Sequence, residues 1–194
     1  MHLLTLQERR DGFTLVELMI VLAIIGIVAL VAIPNYLSQR PVRELNATGR
    51  DIYANLQLAK VEAIRRSGNV VMEFIPGPNP ALFTSYRVFL DNGAGGGVAG
   101  NRNKEPNEPL LVQPVTLPQG IMGTQTFAAN IAGNGAVGFS AQGLPVDGVL
   151  GTVTLNIDAN GDGVADLIGG QATSRTITVS MAGAVRFGDT GGAR

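Results

Sequence analysis

The 194-residue chain contains no cysteine, and its only histidine is His2. Without cysteine it has no disulfide, no thiolate metal ligand and no cysteine nucleophile. Processing near residue 12 would also remove the imidazole, which excludes histidine-dependent acid–base catalysis and most zinc sites. The G-x-x-x-x-G-K-[ST] and H-E-x-x-H motifs and the nucleophile elbow of hydrolases are missing too. The sequence therefore predicts a protein that is not an enzyme.

Positive charge is scarce in the C-terminal two thirds of the chain. From residue 67 onward there are 6 Lys and Arg residues against 9 Asp and Glu residues. A mildly acidic region has little electrostatic attraction for phosphates, so this balance argues against a broad nucleic-acid-binding surface.

Residues 13–33 form a long apolar run with a single charge, Glu17. As a helix rising about 1.5 Å per residue, this run is about 31 Å long and matches the ~30 Å apolar core of a bilayer. It is longer than the apolar core of a secretory signal, and no small-residue cleavage site follows it. Arg9 and Arg10 favour a cytoplasmic N-terminus, although Glu8 and Asp11 weaken that bias. We expect one membrane span, with the rest of the chain beyond it.

Glu17 is costly at this position because a carboxylate loses hydration in an apolar environment. One explanation is that its side chain reaches the interface and has no further role. The other is that a cation on another molecule pairs with it.

The stretch "GFTLVELMIVLAIIGIVALVAIPNY" resembles the class III signal of type IV pilins and type II secretion pseudopilins. It has a Gly before a Phe, a Glu four residues after that Phe, a long apolar run, and Pro34 at the 22nd position from the Phe. The resemblance implies cleavage by a prepilin peptidase between Gly12 and Phe13, followed by N-methylation of Phe13. It also implies that Glu17 pairs with the N-terminal amine of a neighbouring subunit during assembly, where the two charges regain Coulomb energy together.

The segment after Pro34 has a helical period. Its apolar residues fall on one stripe: Leu45, Ile52, Leu56, Ala59 and Ala63. Ser67 and Gly68 form a stop signal, and Arg65 and Arg66 suit the last turn of a helix. The predicted division is a leader at 1–12, an assembly and membrane helix at 13–34, an amphipathic helix at 35–67 and a β-rich head at 68–194.

Alternating apolar and polar residues predict strands in the head. They cover 70–75, 86–90, 110–117, 136–140, 152–157, 175–180 and 184–187, and Met181–Ala184 reads as a hairpin turn. The predicted fold class is α+β, a long N-terminal helix packed on an antiparallel sheet.

Several stretches narrow the resemblance to the GspH/FimT group of minor pilins and pseudopilins. They are "LQLAKVEAIRRSGNVV", "SYRVFLDN", "NEPLLVQPVTLPQGI", "GAVGFSAQGLP" and "TITVSMAGAVRFG". The resemblance implies a minor subunit, near the tip of a type IV pilus or type II secretion pseudopilus. Its implied partners are other pilin or pseudopilin subunits, the prepilin peptidase and methylase, and an assembly platform in the inner membrane. Its implied location is the bacterial inner membrane, single-pass, with the head in the periplasm, and then the filament.

The stretch "DANGDGVAD" has the spacing of a calcium-binding loop. Its candidate ligands are the side chains of Asp158, Asn160, Asp162 and Asp166 and the backbone carbonyl of Val164. Gly163 takes the sixth place, where such loops turn sharply. Gly169 stands where an EF-hand has its bidentate acid, which excludes a full EF-hand. A plain turn has the same composition, so Ca²⁺ and a metal-free turn are both open.

Two further functions remain open as alternatives. Some FimT-like proteins bind DNA through basic residues near the C-terminal hairpin, where this chain has Arg186 and Arg194. These arginines would make few phosphate contacts and release few counterions. The other alternative is a membrane-anchored extracytoplasmic domain that never enters a filament.

Overall fold

The computed structural model describes residues 12–94, 97–168 and 171–189. Its helix α1 is Leu15–Arg66. The strands are β1 (Asn69–Pro76), β2 (Phe83–Asp91), β3 (Leu110–Thr116), β4 (Ile121–Gln125), β5 (Gly135–Phe139), β6 (Gly151–Ile157), β7 (Leu167–Ile168), β8 (Gln171–Ala172), β9 (Ser174–Val179) and β10 (Val185–Asp189), with a short 3-10 helix at Val146–Gly148. The chain divides into an N-terminal unit, residues 1–39, and a C-terminal unit, residues 40–194. The predicted leader at 1–12 lies outside the described residues apart from Gly12.

In the N-terminal unit, the helix exposes its apolar side chains. Exposed fractions include 74% for Leu15, 57% for Ile25 and 76% for Leu30. Among the described residues, no helix combines the length and the hydropathy that crossing a membrane requires. The span predicted over residues 13–33 stays a prediction.

In the C-terminal unit, the helix buries the predicted apolar stripe. Leu45, Ile52, Leu56, Ala59 and Ala63 are all fully buried. They pack in one core with the inward-facing residues of the sheet, where each buried Leu or Ile contributes about 1.5–3 kcal/mol. The periodicity alone therefore identified the face of the helix that contacts the sheet.

The helix ends where the sequence predicted. Ser67 takes a left-handed conformation with φ 48°, and the Gly68 amide donates to the Ala63 carbonyl at 3.1 Å. Hydrogen bonds from Arg65 and Arg66 lower the pKa of Glu62 to about 2.

The main sheet is antiparallel, with the order β10-β9-β6-β4-β2-β1-β5, and β3 also pairs with β2. β7 and β8 form a separate two-stranded ribbon. The long helix and the antiparallel sheet confirm the α+β fold.

The hairpin between β9 and β10 turns as predicted. The Gly183 amide donates to the Ser180 carbonyl at 2.8 Å, and the Ser180 amide donates to the Ala184 carbonyl at 3.0 Å. Gly183 has φ 69°, and a Cβ there would overlap the Gly143 carbonyl, so only glycine suits this position. Lys60 donates to the Gly183 carbonyl at 2.8 Å and ties the hairpin to α1.

The outer edge of β5 is partly covered by its own chain. Isolated bridges join Ala129 to Gly135 and Phe139 to Pro145 at the two ends of the strand. Between them, Arg102 donates through Nη1 to the Ala136 carbonyl at 3.1 Å.

Candidate assembly site and acidic loops

Glu17 is part of a reciprocal cap at the start of α1. Its Oε2 accepts hydrogen bonds from the Thr14 amide at 3.0 Å and from Thr14 Oγ1 at 3.1 Å. In return, the Glu17 amide donates to Thr14 Oγ1 at 3.1 Å. This is a capping box, which satisfies backbone amides that have no partner within the helix. The spacing T-x-x-E was a signal for it that the sequence analysis did not use.

The two residues at the predicted cleavage point lie beside this cap. Gly12 is exposed, and a Cβ added to it would contact nothing. Phe13 is 88% exposed. Among the described residues, the ion pairs involve other carboxylates, so Glu17 has a cap but no cationic partner within that part of the chain.

The predicted calcium loop is organised around Asp158, which is only 8% exposed. Its Oδ1 accepts the Gly161 amide at 2.8 Å and the Asp162 amide at 3.1 Å. Its Oδ2 accepts the Gly163 amide at 3.0 Å. These contacts are those of a turn stabilised by an aspartate side chain.

The other predicted ligands also bond within this loop. Asp166 accepts the Ala159 amide at 2.7 Å, Asp162 accepts the Val164 amide at 2.8 Å, and Asn160 accepts the Asp162 amide at 3.1 Å. Among the described residues, a group of three acidic side chains with oxygens within 4.8 Å of one another occurs elsewhere in the chain. Asp158, Asp162 and Asp166 do not form such a group. Calcium binding here stays a prediction.

Of the two arginines predicted to contact DNA, Arg186 lies on β10, opposite Thr178 of β9, and is exposed. Arg194 lies outside the described residues. DNA binding stays a prediction.

A second acidic group, which the sequence analysis missed, lies after β2. One carboxylate oxygen from each of Asp91, Glu105 and Glu108 falls within 4.8 Å of the others. Burial raises the pKa of Asp91 above its ordinary value, and backbone hydrogen bonds from Arg102 and Gly100 oppose that shift. These residues are up to 17 positions apart in the chain (108 minus 91), so no short motif reveals them.

A buried polar network joins β1 to β2 and to the loop before β5. Glu73 is fully buried, and its Oε2 accepts Arg87 Nε at 2.6 Å. Its Oε1 accepts the side-chain amides of Asn130 at 2.9 Å and Asn134 at 2.8 Å. The charge of Glu73 is therefore paired with Arg87, and both of its oxygens accept hydrogen bonds, as a buried carboxylate requires.

Two known families match this chain, one at its N-terminus and one over most of the remaining residues. Residues 9–33 match the prokaryotic N-terminal methylation motif, and residues 48–183 match the type II transport protein GspH. The second match covers more than half of the chain. The chain therefore belongs to the GspH family, a group of structural pilin and pseudopilin proteins.

Two solved structures show the same fold. Two structures of the minor pseudopilin EpsH from the type II secretion system of Vibrio cholerae superpose with a TM-score of 0.50. The first is 11% identical and covers 75% of this chain and 97% of EpsH. The second is 12% identical and covers 78% and 98%. The type IV minor pilin FimU of Pseudomonas aeruginosa has a TM-score of 0.49 at 15% identity and covers 75% and 89%. No curated protein matches this chain in sequence.

The family match and the fold confirm the predicted family and the predicted α+β fold class. The methylation motif indicates a membrane-anchored pilin-type chain. Membership of a family of pilins and pseudopilins implies assembly with other pilin subunits.

Proposed function

We propose that this chain is a minor pilin or pseudopilin that is cleaved between Gly12 and Phe13 and enters a filament through its N-terminal helix. The observation that supports this proposal is the position of Glu17. Its carboxylate is held by Thr14 at the start of α1, beside Phe13, and has no cationic partner among the described residues. Cleavage would create an ammonium group on Phe13, and that of a neighbouring subunit supplies the missing charge.

The exposed apolar helix supports the same proposal. Side chains such as Leu15, Ile25 and Leu30 are more than half exposed in the isolated chain. A surface of this kind needs an apolar environment. Lipid covers it before assembly, and the helices of neighbouring subunits cover it in the filament.

The remaining parts of the proposal rest on the family. Before assembly the chain is a single-pass protein of the inner membrane, with the C-terminal unit in the periplasm. The prepilin peptidase and methylase processes it, and the inner membrane platform inserts it near the filament tip. Each step acts on a different part of the chain. The leader is cleaved, the apolar helix anchors the chain and then packs in the filament, and the folded unit stays outside the membrane.

We expect cleavage to be visible in the mass of the mature protein. In cells that contain the prepilin peptidase, the chain should lose residues 1–12 and gain one methyl group on Phe13. Gly12→Val should block this processing. Because a Cβ at Gly12 contacts nothing, the loss would reflect recognition by the peptidase and not misfolding. Intact mass spectrometry checks both results.

The matched control for this experiment is Gly26→Ala. Gly26 also has nothing near its added Cβ, and it lies away from the cleavage point, so this variant should be processed normally. A mature wild-type chain that keeps residues 1–12 would contradict the proposal and favour the anchored domain that never assembles.

For the DNA-binding alternative, we expect residues 40–194 to give little or no gel shift with duplex DNA at physiological salt. Residues 40–194 have no net positive charge, with 12 Lys and Arg residues against 12 Asp and Glu residues, so few counterions are released on binding. The measurement is repeated with Arg186→Ala. A clear shift in the wild type that this variant weakens would restore the DNA-binding function.

A further inference from the structure

An exposed apolar patch, termed the hairpin patch, lies at the tip of the β9–β10 hairpin. It consists of Ile64, Leu144 and Met181, which are 48%, 47% and 71% exposed. A Cβ at Gly143 would lie 2.9 Å from Ile64 Cδ1, and a Cβ at Gly183 would lie 3.4 Å from Leu144 Cα. The end of α1, the loop after β5 and the hairpin therefore meet at this place, and each exposes an apolar side chain.

The charge beside the hairpin patch is mainly positive. Lys60, Arg65 and Arg66 lie on the last two turns of α1, together with a single acid, Glu62. Glu62 Oε2 lies 2.6 Å from Arg65 Nη2 and 2.7 Å from Arg66 Nε. A further acid nearby, Asp147, has an arginine partner of its own at 3.7 Å. One carboxylate cannot neutralise three cations, so net positive charge remains at this end of α1.

A second apolar patch, termed the loop patch, lies on the loop after β6 and has the opposite charge. It consists of Val164 and Leu167, each 63% exposed. Asp162 and Asp166 belong to the same loop, and among the described residues no Lys or Arg forms an ion pair with either. The hydrogen bonds that their carboxylates accept come from uncharged amide groups of the loop, so their negative charge is not cancelled.

The two patches lie at opposite ends of the β6–β9 ladder. The hairpin patch is at the end where Gly151 pairs with Val179. The loop starts after Ile157, at the other end of β6, and the Asp166 amide donates back to the Ile157 carbonyl at 2.7 Å. β6 has six residue steps (157 minus 151), which at about 3.3 Å each separate the two ends by about 20 Å.

We propose that the hairpin patch of one copy of this chain contacts the loop patch of a second copy. This contact removes apolar side chains from water on both sides and places arginines against aspartates. Contact between two hairpin patches, or between two loop patches, would instead bring like charges together. The charges therefore favour a second copy in a head-to-tail arrangement.

A head-to-tail contact can repeat from copy to copy, because each copy keeps one patch free. The inference rests on the proposed function in one respect. In a filament, the packed N-terminal helices hold the folded units close together, so a contact that is weak between separate chains suffices there.

Disulfide trapping in the full chain tests this contact, because the chain has no cysteine of its own. Met181→Cys and Val164→Cys are combined in one chain, and the membranes that contain it are oxidised with copper phenanthroline. EGTA is present, so that Ca²⁺ cannot cancel the charge of the loop. A non-reducing gel is expected to show a ladder of dimers, trimers and larger species. Either single variant should give no trimer, since one cysteine joins only two chains. Leu167→Cys replaces Val164→Cys in a second double variant.

The matched control combines Met181→Cys with Ile131→Cys. Ile131 is 78% exposed and lies outside both patches, so this pair reports random collisions and should give no ladder. Adding Asp162→Lys to the first double variant should reduce the trimer at least about tenfold, because it brings like charges together. Adding Arg65→Glu as well should restore the trimer, which a loss of folding would not allow.

A ladder in membranes or in sheared filaments that the Ile131 control lacks would support the proposal. It would be overturned if neither loop-patch cysteine gives a ladder with Met181→Cys, or if the control gives an equal one. An unchanged ladder with Asp162→Lys, or no restoration by Arg65→Glu, would also overturn it.

This trap requires neither cleavage nor entry into a filament. A ladder from chains that keep residues 1–12 would support the contact while contradicting the proposed function. Its absence from chains that are cleaved and assembled would overturn the contact and leave the proposed function in place.

Discussion

Glu17→Ala is expected to reduce incorporation into the filament at least about tenfold, while the C-terminal unit stays folded. Removing one member of a buried ion pair costs about 3–5 kcal/mol, because the partner charge remains without compensation. The partner here is the Phe13 ammonium of a neighbouring subunit. The measurement is the amount of variant in sheared filaments relative to the amount in membranes, by immunoblot.

The capping box makes a sharper version of this experiment possible. Glu17→Gln keeps an oxygen that can accept from Thr14 and so preserves the cap, but it removes the charge. If the charge drives assembly, this variant should fail as Glu17→Ala does. Thr14→Ala provides the reverse control, since it removes the hydroxyl partner at a cost of about 1 kcal/mol and keeps the charge. It should assemble nearly normally.

Near-normal incorporation of Glu17→Gln would contradict the intermolecular ion pair. It would assign Glu17 to helix capping alone, the role that it has within the isolated chain. A failure of Thr14→Ala as severe as that of Glu17→Ala would lead to the same conclusion.

Glu73→Ala is expected to be the most destabilising single change in the C-terminal unit. Glu73 is fully buried and accepts hydrogen bonds from Arg87, Asn130 and Asn134. Its removal takes this acceptor from Arg87 and Asn134 and leaves Asn130 with the Arg102 carbonyl alone. Breaking such a pair costs about 3–5 kcal/mol. Urea unfolding of residues 40–194 measures the loss in free energy of unfolding.

A double-mutant cycle with Arg87→Ala tests the cause of that loss. Arg87 lies directly opposite Glu73 in the β1–β2 register. The double variant should lose less stability than the sum of the two single variants, by at least about 1 kcal/mol. Glu44→Ala is the control for an exposed glutamate and should change stability by less than about 0.5 kcal/mol. Additive losses would show that Glu73 acts through packing and not through its ion pair.

Periodicity predicted the elements that have a buried face. The stripe from Leu45 to Ala63 on α1 follows from spacing alone, and β1, β2 and β6 were predicted to within three residues at each end. β4 was missed because Ile121–Gln125 is short and contains Gly123, which weakens a strand pattern. Its position in the sheet comes from pairing with β6, and local sequence does not encode that contact.

The polar sites were harder to predict because they depend on distant residues. Glu73 appears in the sequence as a polar position in an apolar strand, and its burial becomes clear only when Arg87 and Asn134 are placed beside it. The cap at Thr14 and Glu17 is local and could have been predicted. In contrast, the group of Asp91, Glu105 and Glu108 forms only when the chain between β2 and β3 folds back on itself.

The partly covered edge of β5 limits how the sheet of one folded unit can pair with the sheet of another. In a filament, folded units stand close together, and an open strand edge would invite a neighbour to extend the sheet. Here the bridges at Gly135 and Phe139 and the Arg102 hydrogen bond occupy much of that edge. Neighbouring subunits that meet at this edge would therefore touch through side chains, without one sheet extending into the next.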